Sequence, residues 1–159
     1  MPNIKLPLTI GEKSELRKHK VKLADIHRYT ATDLEVLLGA SPTRTRTISA
    51  LAEFQTVPSV GIRFAEDLVF MGFYSIDELK GKNGAELTDA FERKKGYWID
   101  PCVEDQFRLV VYYADTRDAE KSWWHFTTER KQFRALHGYP ADRPVTPWYE
   151  TLGYTTGRQ

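Results

Sequence analysis

Phe54-Gln55-Thr56-Val57-Pro58-Ser59-Val60-Gly61-Ile62-Arg63-Phe64-Ala65-Glu66-Asp67-Leu68 reads as helix, tight turn, helix. Pro58 and Gly61 punctuate the turn, and Val60 sits between them as an apolar plug. Upstream, Ile48, Leu51, Ala52 and Gln55 recur at spacings of three and four, with Phe54 on the same side, which is the period of an amphipathic helix. Ser41-Pro42 starts that helix as N-cap and first-turn proline. Downstream, Phe64, Ala65, Leu68 and Met71 line one face of a second helix, expected from Gly61 to Met71 and stopped by Gly72. A turn of this kind leaves backbone N–H groups without partners at the start of the second helix, where the peptide dipoles sum to a positive end. A phosphate oxygen suits that geometry.

These residues resemble the helix-hairpin-helix family of non-specific DNA-binding motifs. The usual core of the motif is Pro-Gly-Val-Gly, and here it is Pro58-Ser59-Val60-Gly61, with a serine in place of the first glycine. The resemblance implies that the N–H groups of Val60, Gly61, Ile62 and Arg63 converge on one phosphate. Gly61 lets the backbone approach because it has no Cβ. Arg63 adds a charge-assisted contact, and the Ser59 hydroxyl partly replaces the access lost with the glycine. Arg44 and Arg46, one helix earlier, flank the site. Such contacts hold the backbone and read no bases. The expected function is therefore sequence-independent DNA binding with steep salt dependence, accessory to DNA handling or repair. The alternative is a protein-interaction or structural module on the same fold.

Further residues widen the resemblance. Phe54-Gln55 with Pro58–Gly61, Ser75-Ile76-Asp77-Glu78-Leu79-Lys80-Gly81, Asp100-Pro101-Cys102-Val103 and Trp123-Trp124 look like the pathogenicity-locus family of small bacterial helix-hairpin-helix proteins. The likeness runs over roughly residues 45 to 135. It implies an all-α fold, a cytoplasmic bacterial protein and DNA as partner, and it brings no reaction with it.

Local signals fill in the remaining helices. Thr32-Asp33-Leu34-Glu35 reads as a capping box with Gly39 as its stop. Ser75–Glu78 opens a short connector through Leu79. Asn83-Gly84-Ala85-Glu86 opens a helix with Leu87, Ala90 and Phe91 as its buried stripe, closed by Gly96. Asp100-Pro101 starts another, with Val103, Phe107, Val110, Val111 and Ala114 facing inward. The order suggests two helix pairs joined by a connector, a double helix-hairpin-helix core. Tyr97 and Trp98 in the second turn point to packing rather than phosphate binding. The expected organisation is a basic, flexible arm over 1–23, a helix-hairpin-helix domain over 24–115, and a C-terminal helix and extended tail over 116–159. Within that tail, Lys121-Ser122-Trp123-Trp124-His125-Phe126 sets aromatics beside a cation. The rings suit either base stacking or anchoring onto the core, and the cost of exposing two indoles favours anchoring.

Composition sets the outer limits. The chain has 159 residues and a formal net charge of +1, with 41% hydrophobic and 28% charged residues. Any contact with nucleic acid must therefore come from local patches. Lys13, Arg17, Lys18, His19, Lys20 and Lys22 form one such run, opposed nearby by Glu12 and Glu15. Cys102 is the single cysteine, so an internal disulfide is impossible and a reducing compartment is expected. No apolar run approaches the ~20 residues that cross a bilayer, and Met1–Lys5 lacks the apolar core of a signal peptide. Cys102 near a helix start, with His125 and His137 downstream, is the nearest approach to a catalytic set, but nothing orients a base toward the thiol. The four histidines are scattered without zinc-site spacing, and no glycine-rich nucleotide loop is present. The protein is expected to be non-enzymatic, without metal, cofactor or membrane.

Overall fold

Ser41 accepts a hydrogen bond from the Arg44 N–H, Pro42 occupies the first turn, and the helix runs Pro42–Phe54. It is the third of seven α-helices in a computed structural model that describes residues 3–151. The others are α1 (Ile10–Lys18), α2 (Ala31–Leu38), α4 (Ile62–Phe70), α5 (Gly84–Lys95), α6 (Pro101–Thr116) and α7 (Thr127–His137). Short 3-10 turns cover Leu23–Arg28, Asp77–Leu79, Trp123–Phe126 and Trp148–Glu150. Among the described residues no strand forms, and the protein is all-α. No described helix is long and apolar enough to cross a membrane. The described residues divide into two units, 3–78 and 79–151.

In the first unit α3 is the hub, packed by α2, α4 and the 23–28 turn, with α1 against α2. Ile48 and Ala52 of α3 meet Leu34 and Leu38 of α2, Ile26, Leu16 of α1, and Ile4. Of the arm expected over 1–23, the described residues 3–23 are instead folded against α2 and α3. Ile4 is 5% exposed and Leu16 3%. Burying two such side chains is worth about 1.5–3 kcal/mol each. A Thr9–Glu12 capping box starts α1. The α2 cap is Thr30, which bonds the Asp33 N–H, rather than Thr32.

The second unit is built around α6, which packs on α5, α7 and the 123–126 turn. Asn83 caps α5, and Gly96 ends it at φ +82. Asp100 caps α6, with Pro101 in its first turn. Gly84 lets α5 meet α6 closely: a Cβ there would lie 2.7 Å from Arg108 Cγ and 2.8 Å from its Cα. After α7 the chain makes a turn at Pro140–Arg143, and the Trp98 N–H then donates to the Thr146 carbonyl. Trp124 departs from the anchoring expectation, being 55% exposed. Its neighbour Phe126 is buried instead, 5.5 Å from the Tyr112 ring. In a 3-10 helix side chains three residues apart share a face, so half-buried Trp123 lies on the side of Phe126 while Trp124 turns away from it.

Candidate functional site

The segment between α3 and α4 runs from Gln55 to Gly61. Gln55 caps the end of α3 and is buried. Its side-chain amide brackets Lys5, accepting from the Lys5 N–H at 2.9 Å and donating to the Lys5 carbonyl at 2.7 Å. The N-terminal segment is therefore held beside the turn. A depression of about 500 Å³ opens there, lined by Asn3, Gln55 and residues 56–61. Val57 and Val60 are buried, Pro58 is half-buried, and Ser59 is exposed.

Ser59 has φ +62, the left-handed region that favours glycine. This is the position at which the motif ordinarily carries its first glycine, so the serine retains the turn at a conformational cost. Gly61 is different. Its backbone is extended (φ −98, ψ −177), and a Cβ built on it meets nothing within 4 Å. Neither internal packing nor backbone geometry requires glycine there.

Gly61 is the N-cap of α4 and offers no side-chain cap, and no acidic residue lies in the first turn. In contrast α1, α2, α3, α5 and α6 are capped by Thr9, Thr30, Ser41, Asn83 and Asp100. The opening N–H groups of a helix have no acceptor within the helix. At α4 these include the amides of Ile62 and Arg63, and the exposed Arg63 side chain stands beside them.

The expected set of seven residues does not assemble as one cluster. The Val60 N–H donates to the Val57 carbonyl at 3.1 Å, so this amide serves the turn itself. Gly61, Ile62 and Arg63 remain as the contiguous donors, with Ser59 preceding them. Arg44 is committed elsewhere. Its guanidinium bonds Glu12 Oε1 at 2.8 Å and Oε2 at 3.1 Å, and donates to the Pro7 carbonyl at 2.6 Å. The hydrogen bond from Arg44 holds the Glu12 carboxyl below its usual range, against the opposing effect of burial. Arg46 is exposed and lies 3.7 Å over the Tyr74 ring. Both arginines sit more than two helical turns before the end of α3, which is about 12 Å or more along the axis.

The turn between α5 and α6 spends its amides internally. The Ile99 N–H donates to buried Glu92 at 2.9 Å, and the Cys102 N–H to Asp100 at 3.0 Å. Burial and then the Asp100 charge push the Cys102 thiol up to about 11, the opposite of an activated nucleophile. His125 is occupied as a hydrogen-bond acceptor for the Ser122 N–H, and His137 packs on Phe133 at 4.6 Å.

The sequence reading overlooked a charged lattice in the second unit. Glu92, Glu104 and Asp105 are buried. Arg143 bonds Glu92 at 2.8 and 3.0 Å, Arg130 bonds Asp105 at 2.7 Å, and Arg134 bonds Glu104 at 3.0 Å and Asp89 at 2.9 Å. Arg108 bonds Glu104 from the other side at 2.9 Å. The lattice fastens α7 and the following chain to α5 and α6. Its signal was Glu104, which borders the apolar stripe of α6 at three and seven residues from Phe107 and Val111, where a carboxylate requires an internal partner.

The model of the pathogenicity locus (Cdd1) family matches residues 47–132, a segment from α3 into α7 that contains the α3–α4 turn. The mitomycin resistance protein McrB of Streptomyces lavendulae is 30% identical over 88 residues, covering 55% of this chain and 83% of that protein. No solved structure matches the chain. By the extent of the family match, the chain belongs to the pathogenicity locus family.

Proposed function

We propose that this protein binds the DNA backbone without sequence preference, through a helix-hairpin-helix made of α3, the turn and α4. The observation that carries the reading is the start of α4. It is uncapped, carries no acid in its first turn, presents Arg63, and places an exposed glycine where nothing in the protein needs one. A ligand that must come close to the backbone supplies the reason for that glycine. An anion fits the amides of Gly61, Ile62 and Arg63 together with the dipole of α4. Three amides, rather than four, form the cradle, and Arg44 takes no part in it. The proposed setting is the cytoplasm, and the role is accessory to DNA handling.

The test is a binding titration with duplexes of unrelated sequence over a range of salt. The proposal expects similar affinity for each sequence and a logarithmic salt slope of about 0.9 per phosphate engaged. Gly61→Glu fills the open Cβ position with a carboxylate and should abolish binding without changing the melting temperature. Full binding by that variant overturns the hairpin as the contact. Absence of duplex binding by the wild-type protein, with capture of a protein partner instead, favours the interaction-module reading. The Streptomyces relative is named for mitomycin resistance. The proposal extends to the same role here, so cells lacking this protein should lose survival under mitomycin and regain it with the wild-type chain but not with Gly61→Glu.

A further inference from the structure

Lys13, Arg17, Lys18, Lys20 and Lys22 are all exposed; the first three lie on α1 and the other two follow directly after its end. None of them has an ion-pair partner among the described residues. The acids in their stretch are already engaged. Glu12 holds Arg44, and Glu15 lies 3.8 Å from His19. Three of these cations are placed against local preference. Lys13 and Arg17 are four residues apart on α1, where like charges repel across one turn. Lys20 has φ +58 at the helix stop. Its N–H donates to the Arg17 carbonyl, and the Val21 N–H donates to the Leu16 carbonyl, at 3.1 and 2.9 Å. That is the Schellman arrangement, in which glycine is the relaxed occupant of the left-handed site. A lysine holds it instead.

We infer that this surface is a second contact for the phosphate backbone of duplex DNA, separate from the α3–α4 turn. The inference rests on the DNA reading above and extends it to a part of the chain outside the residues matched by the family model. Unpaired cations at fixed spacing on a folded element complement a regular polyanion. The two contacts are tied to opposite ends of α3. Gln55 holds Lys5 at one end, and Arg44 holds Glu12 of α1 at the other. The separation along α3 is about 16 Å, comparable to roughly five base pairs of duplex axis.

The decisive protein is the triple variant Lys13→Ala, Arg17→Ala, Lys20→Gly, compared with wild type on a short duplex of arbitrary sequence over a salt series. Removing three contacts should lower the logarithmic salt slope by about 2.7. The single variant Lys20→Gly should lower it by about 0.9 while raising the urea midpoint, because the glycine relaxes the backbone. A loss of slope with unchanged or higher stability cannot come from misfolding. If the triple variant keeps the wild-type slope and affinity while Gly61→Glu loses binding, the inference is overturned and the hairpin reading stands. If the triple variant loses slope while Gly61→Glu binds normally, the inference stands and the hairpin reading falls. If wild type binds phosphatidylserine vesicles and no duplex, the surface serves anionic lipid and the inference is overturned.

Discussion

In residues 79–151 Arg108, Arg130, Arg134 and Arg143 turn inward onto carboxylates, whereas residues 3–78 leave a run of cations facing outward. In the second unit Arg93, Arg108, Arg130, Arg134 and Arg143 each lie on a carboxylate at 2.7–3.0 Å. For Arg134, burial alone would lower the guanidinium pKa, but the charge and hydrogen bonds of Glu104 and Asp89 outweigh it and raise it. In the first unit Arg44 makes such a bond, while Lys13, Arg17, Lys18, Lys20 and Lys22 make none among the described residues. The glycines divide in the same way. Gly84 is required by the close approach of Arg108, and Gly61 is required by nothing inside the protein. Groups committed to the chain's own carboxylates and helices build the fold. Groups with no internal assignment are where the proposed DNA contact falls, even though the total charge is only +1.

The comparison breaks most visibly at Arg134. Arg134→Met leaves Glu104, which is 2% exposed, with Arg108 as its remaining cation and strands Asp89. Breaking a buried pair from one side costs about 3–5 kcal/mol, read as a fall in the urea midpoint. Lys13→Ala with Arg17→Ala should stay within about 0.5 kcal/mol of wild type. Equal effects of the two changes would erase the contrast.

Gly84→Ala should cost about 1–3 kcal/mol, because the new methyl meets the backbone of Arg108 rather than a yielding side-chain tip. Gly61→Ala, tested beside it by thermal melting, should remain within about 0.5 kcal/mol. A smaller gain is expected from Ser59→Gly. Relief of the left-handed serine, less the flexibility glycine adds to the unfolded chain, leaves about 0.5–1 kcal/mol of stabilisation.

The smallest effect is at acid pH. The folded Glu12 carboxyl titrates below its ordinary value of 4.5 through its hydrogen bond with Arg44. Its contribution is fully present above 4.5 and is lost as pH falls through the lower folded value. Glu12→Gln should therefore flatten stability against pH in that window and leave the rest of the profile unchanged.

Much of the helical framework was legible because its signals are local. Ser41-Pro42, Asn83, Gly96 and Asp100-Pro101 mark their helix ends by capping chemistry that neighbouring residues alone determine. The start of α1 had the same kind of signal, Thr9 with Glu12, but the basic run that follows made the stretch read as solvent-exposed arm. Its burial depends on Ile4 and Leu16 meeting Ile26, Leu34 and Ile48, contacts that local spacing does not encode. The charged lattice was hidden for a related reason. Glu104 and Arg134 are thirty positions apart, and their pairing follows only from the return of α7 onto α6. At the α3–α4 turn, the sequence placed Gly61, Ile62 and Arg63 at the start of a helix, and they open α4. It did not reveal that Val60 closes the turn through its own amide or that Arg44 is spent on Glu12.

The most direct measurement follows the backbone amide resonances of the protein as a short duplex of arbitrary sequence is added. The account predicts that the Gly61, Ile62 and Arg63 signals move most within the α3–α4 segment, that Val60 moves less, and that added salt reverses the change. DNA binding with those three amides unmoved would contradict it.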